Sequence, residues 1–205
     1  MAKVGIFGGT FDPPHRGHVA VAAEAARQLA LDRLLVIPTG IPPHKVLPPD
    51  APDAEDRLAM TRLAFADVPI AEIREDELRR EGKSYTYLTL EALRQEMPEA
   101  EFWLIMGADM FLKLESWKEA RRIFATCSIA ALCREKNDDG TLLSRHAEEL
   151  NRRYGADCRV LRHQVYEVSS TSVRDGDPAT DGRLPQKVCE YIRERGLYGV
   201  REIAP

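Results

Sequence analysis

The sequence has little that would staple, anchor or strongly charge it. Its 205 residues hold four cysteines, Cys127, Cys133, Cys158 and Cys189, and no Cys-x-x-Cys pair. That argues against a disulfide framework, a zinc site and a dithiol redox motif, and points to a reducing, cytoplasmic setting. Isolated cysteines in such surroundings are mostly small core residues. No stretch nears the ~20 apolar residues of a membrane span. One lysine precedes the first short apolar run, which is not the pattern of a signal peptide. An excess of positive charge is missing too: 29 Lys and Arg stand against 33 Asp and Glu, a net charge of −4. That speaks against a broad nucleic-acid surface but leaves room for a small phosphate ligand, which needs only a local cluster of donors. There is no internal repeat and no sign of a large partner, and a homo-oligomer is compatible with the composition.

What the chain does have is alternation. Short apolar runs at Lys3–Phe7, Leu34–Ile37, Ile70–Ile73, Phe102–Met106, Ile129–Cys133 and Val160–Leu161 read as strands. Helical patterns at Gly17–Ala30, Ala54–Ala66, Thr86–Glu96, Trp117–Phe124, Leu142–Tyr154 and Pro185–Arg195 lie between and after them. Asp53 is placed to cap the second helix, and Gly196 to end the last. The expected fold is α/β: a Rossmann-like, doubly wound, mainly parallel sheet forming one domain over residues 1–205, with a small helical part from about 170. Such sheets bind ligands beyond the carboxyl ends of their strands, so the loops after strands come first.

The densest of these loops is Gly8–His18 (GGTFDPPHRGH). Gly8 and Gly9 suit a sharp turn and close approach of a ligand. Asp12 precedes a proline and is biased away from helix. His15 and His18, three apart, fall on neighbouring parts of one helix face, with Gly17 leaving space between them. A helix N-terminus with two imidazoles suits an anion. A plain capping or packing role would use the same residues, and a zinc reading lacks a third ligand. Val168–Arg174 (VSSTSVR) is the second such cluster. Its hydroxyls and the guanidinium of Arg174 could hold phosphate oxygens; Ser172-x-x-Asp175 also fits a capping box. The segment Pro38–Pro52 holds six prolines and contains Ile41–Lys45 (IPPHK). Its prolines stiffen it, and His44 and Lys45 could meet a phosphate. Met106–Asp109 (MGAD) follows the strongest strand: Gly107 allows close approach, and Asp109 could bind a ribose hydroxyl or cap a helix.

These strings together resemble the nucleotidylyltransferase superfamily, whose signature (T/G)xFDPxHxGH is centred on HxGH. More narrowly, GGTFDPPHRGH is similar to the bacterial nicotinate-nucleotide adenylyltransferase family. VSSTSVR matches that family's ISSTxIR with Val for Ile twice. IPPHK resembles its PPHK loop, and MGADM its IIGADM. The resemblance covers almost the whole chain. It implies transfer of the adenylyl group of ATP to nicotinate mononucleotide, with magnesium accompanying ATP and no metal site built from protein. It implies ATP contacts at Gly8, Gly9, Thr10, Phe11, His15, His18, Gly107, Asp109, Ser170, Thr171 and Arg174. Catalysis would fall to His18, assisted by His15 and Arg174. The acceptor nucleotide would meet His44, Lys45, Thr86 (in the Ser84–Thr86 motif SYT), Trp117 and Arg134. Indole suits a flat ring, and a hydroxyl or N–H suits its carboxylate. The family often reads CRPG where this chain has Cys133-Arg134-Glu135-Lys136. Phosphopantetheine adenylyltransferases and cytidylyltransferases share parts of these motifs, and a non-catalytic nucleotide sensor on the same fold is the rival of another class.

Overall fold

The computed structural model describes residues 1–43, 45–134, 139–163 and 168–200, without the side chains of Arg134 and Asp139. Its strands are β1 (Lys3–Gly9), β2 (Arg33–Pro38), β3 (Ala71–Ile73), β4 (Glu101–Gly107), β5 (Ser128–Arg134) and β6 (Cys158–His163). They form one sheet in the order β3-β2-β1-β4-β5-β6, and every pairing is parallel. The helices are α1 (Arg16–Leu29), α2 (Ala54–Ala64), α3 (Asp76–Arg79), α4 (Thr86–Glu96), α5 (Ala108–Phe111), α6 (Ala120–Thr126), α7 (Asp139–Tyr154), α8 (Ser170–Arg174) and α9 (Gln186–Glu194).

The strands alternate with period two between two buried layers. Leu34, Val36, Trp103, Ile105, Ala130 and Leu132 join α1, α2 and α9 on one face. Val4, Ile6, Leu35, Ile37, Leu104, Met106, Ile129 and Ala131 join α4, α6 and α7 on the other. Both faces are covered, so every central strand is apolar on both sides. The four cysteines are reduced and buried. The order of the sheet reverses between β1 and β4. That reversal opens a crevice at their carboxyl ends, beside Gly8–Gly9 and Met106–Gly107.

Local chemistry sets most boundaries. Asp53 caps α2, its Oδ1 accepting the Asp56 N–H at 2.8 Å. α9 starts one residue after Pro185, which serves as its cap, and Gly196 follows the last turn at φ 60°. The helix expected from Trp117 begins only at Ala120. Trp117 is extended at φ −71°, ψ 150°, and the left-handed Glu119 (φ 56°) separates it from α6. α3 and α5, of four residues each, are too short to show a helical period in sequence.

Candidate active site

β1 passes into α1 through Thr10–His15. The left-handed residue of this turn is Phe11, at φ 50°, not a glycine; Gly8 and Gly9 stay extended and pair with Ile37 and Pro38 of β2. The Phe11 ring is buried against Phe7 and Phe65, with centroids 5.8 and 6.2 Å away. The strain of the turn is thus held by an aromatic cluster beneath it.

His15 lies outside the helix, as the N-cap of α1, and His18 is its third residue. The Nδ1 of each ring accepts the backbone N–H of the other residue at 3.2 Å. The rings stack at 3.6 Å with 17° between planes. A Cβ on Gly17 would lie 2.8 Å from Val168 Cγ1 and 3.1 Å from His15 Nδ1, so the stack requires glycine there. A neutral imidazole carries one N–H. With both Nδ1 atoms accepting, that proton sits on Nε2 in both rings. Burial, reinforced by the charge of Arg183, holds His15 down to about 4. Burial, then the neighbouring His15, holds His18 well below the ordinary histidine range. At neutral pH the pair therefore offers two uncharged Nε2–H donors at the positive end of a helix.

The VSSTSVR segment grips this turn from below. Ser170 Oγ donates to the Pro13 carbonyl at 2.9 Å. Arg174 donates to the Asp12 carbonyl and to its Oδ2, the latter at 3.3 Å, and to Thr171 Oγ1 at 3.2 Å. The capping box of α8 joins Ser169 and Ser172, so the pairing of Ser172 with Asp175 does not form. Asp12 is buried, and its Oδ1 accepts the Tyr198 hydroxyl at 2.9 Å. That phenol is pushed above its ordinary range by burial and by Asp12.

A buried cation joins the turn to the next loop. Arg57 of α2 is 2% exposed. Its Nη1 donates to the carbonyls of Thr10 at 2.9 Å and Thr39 at 2.7 Å, and its Nη2 to that of Gly40 at 3.2 Å. Gly40 N in turn donates to Ser84 Oγ at 3.1 Å, and Ser84 N to the Ile41 carbonyl at 2.9 Å. A Cβ on Gly40 would lie 2.4 Å from the Glu77 carbonyl oxygen, so the two segments close only over glycine. Glu77 is buried here, accepts the Thr89 hydroxyl at 2.8 Å, and has its pKa raised by burial.

These parts surround a cavity of about 650 Å³ at the sheet reversal. Gly8, Gly9, Thr10, His15 and His18 line it from the first turn. Lys45, Thr86, Gly107, Asp109 and Trp117 line it as well. Phe11, Ser170, Thr171 and Arg174 do not: Phe11 lies beneath the turn, and the other three act on it through the bonds above or stand outside. His44 and the side chain of Arg134 fall outside the described residues. The cavity also takes in Glu77, Lys118 and His163, which no motif singled out. Arg57 and Tyr198 support it from behind and were equally silent in the sequence. Among the described residues no group of three or more His, Cys, Asp or Glu could hold a metal ion. None of their helices is long and apolar enough to cross a membrane.

Known proteins resemble this chain in sequence and in fold. The cytidylyltransferase-like family model matches residues 6–176. The chain belongs to that family of nucleotidyltransferases. A probable nicotinate-nucleotide adenylyltransferase of Neisseria meningitidis serogroup B is 38% identical over 208 residues, covering 97% of this chain and 99% of the relative. One of the same description from Syntrophotalea carbinolica is also 38% identical, over 218 residues. Among solved structures, the fold is shared with Plasmodium falciparum nicotinic acid mononucleotide adenylyltransferase complexed with APC. That match has a TM-score of 0.77 at 14% identity, over 98% of this chain and 99% of the other.

Proposed function

We propose that this family member transfers the adenylyl group of ATP to nicotinate mononucleotide, releasing pyrophosphate and forming nicotinate adenine dinucleotide for NAD biosynthesis. The observation that carries the reading is the stacked His15–His18 pair, with both Nε2–H groups left as donors in a cavity that also holds Thr86 and Trp117. The names of the near-full-length relatives supply the acceptor.

A phosphate oxygen of the acceptor, already ionised at neutral pH, attacks the α-phosphorus of ATP. The bond from that phosphorus to the pyrophosphate oxygen breaks, and pyrophosphate leaves with the electron pair. No strong base and no covalent enzyme intermediate are needed, so catalysis rests on positioning and on stabilising oxygen charge. His18 is the main donor to the phosphoryl oxygens in the transition state, and His15 assists. In the neutral state each ring keeps Nδ1 as acceptor for the backbone N–H and Nε2–H as donor to the ligand. Arg174 contributes by fixing Asp12 and adding positive charge under the turn. Asp109 and Gly107 receive the adenosine, Gly107 having open space where a Cβ would stand. Lys45, Thr86 and Trp117 receive the acceptor, with His44 and Arg134 completing its contacts.

Magnesium enters with the triphosphate as part of the substrate and neutralises phosphate charge. Phosphate oxygens and water suit it as ligands, since the described lining offers Glu77 and Asp109 as its carboxylates. We take the chain as one domain working in the cytoplasm, consistent with four buried cysteines that form no disulfide. The test is pyrophosphate release with ATP and, in turn, nicotinate mononucleotide, its amide and phosphopantetheine. Release with the pyridine nucleotides is expected. Release with phosphopantetheine alone would replace the acceptor, and release with none would favour a nucleotide sensor.

A further inference from the structure

The cavity carries one cation that none of the roles above uses. Lys118 follows Trp117 directly, and both line the cavity with Tyr85 and Thr86. Its Nζ lies 4.4 Å from the centre of the Tyr85 ring. None of the ion pairs among the described residues includes it. The stem is exposed, yet the ring face draws the ammonium to one place. Tyr85 is itself anchored as the residue that caps α4, next to Ser84, which is tied to Gly40 and Ile41.

We infer that Lys118 selects an acceptor whose ring bears a carboxylate over one whose ring bears a carboxamide. This rests on the reading that the acceptor ring sits by Trp117 and Thr86. Nicotinate and nicotinamide mononucleotides share ring, ribose and phosphate, and differ only in this group. A carboxylate offers an ammonium a full negative charge and two acceptor oxygens; a carboxamide offers one neutral carbonyl. An unpaired ammonium beside the ring therefore favours the acid. Tyr85 is a positioning residue, since it holds the charge without touching the substrate group.

The test is steady-state pyrophosphate release by wild type, Lys118→Met and Lys118→Arg with each mononucleotide. Methionine keeps the apolar stem and removes the charge. Wild type should prefer the acid. In Lys118→Met, kcat/KM for the acid should fall roughly 10- to 100-fold, mostly through KM, the size of one charge-assisted hydrogen bond. Turnover of the amide should stay near wild type. Lys118→Arg should keep the preference, and Tyr85→Leu should weaken it. An equal fall for both acceptors would place Lys118 on the shared phosphate or ribose and overturn the inference. So would an unchanged preference in Lys118→Met, or a wild type without preference. A wild type that releases pyrophosphate with neither mononucleotide would overturn the functional reading, and this one with it.

Discussion

Acid should loosen the fold through the histidine pair. Both rings are held neutral, and His15 is held down to about 4, against 6.5 for a free histidine. The unfolded chain binds the His15 proton below 6.5, and the folded chain does not until near 4. Stability is therefore full above 6.5 and is lost as pH falls through that window. At pH 5 the unfolded residue is almost wholly protonated and the folded one about a tenth, a factor of about 30, or ~2 kcal/mol. His18, lowered by burial first, adds loss of the same sign. The measurement is urea unfolding by far-UV circular dichroism at pH 8 and pH 5, for wild type and His15→Asn. Asparagine still accepts the His18 N–H as a cap and does not titrate. The variant should lose about 2 kcal/mol less than wild type between the two pH values. Equal losses would refute the claim that His15 is neutral in the folded protein.

His18→Ala should lower kcat roughly a hundred- to a thousand-fold with the far-UV spectrum unchanged, as for removal of one oxyanion donor; near-normal turnover would sink the assignment. Arg57→Lys cannot reach three carbonyls at once, so it should cost ~2–3 kcal/mol in urea unfolding and raise KM for both substrates. An unchanged KM would show that the Thr10, Thr39 and Gly40 carbonyls need no such tie. Tyr198→Phe removes one donor from buried Asp12 and should cost about 1–2 kcal/mol, read in the same titration; no loss would mean that Arg174 alone satisfies that carboxylate.

The architecture was legible because its signals are local and periodic. The six apolar runs coincide with the six strands of the described residues, and Thr86–Glu96 matched its helix at both ends. Asp53 capped as its type suggests. The histidine turn was legible because Gly, Pro and His crowd between a strand and a helix. Its inner logic was not. The left-handed residue is Phe11, which sequence rules assign to glycine, and it is tolerated because Phe7 and Phe65 pack against the ring. The long-range ties were equally hidden. Arg57 stands 47 positions from Thr10, and Tyr198 stands 186 from Asp12. Each looks like an ordinary residue on its own helix or turn. Arg174 shows the converse: its motif was plain, but its guanidinium faces Asp12 rather than the cavity.

The central claim is that the neutral His15–His18 pair receives the phosphates of ATP, and a crystal structure with a non-hydrolysable ATP analogue tests it most directly. The account predicts triphosphate oxygens within about 3 Å of the Nε2 atoms of both histidines, with Arg174 still bound to Asp12. A triphosphate seated elsewhere, or one that draws Arg174 away from Asp12 while leaving both Nε2 atoms unengaged, would contradict it.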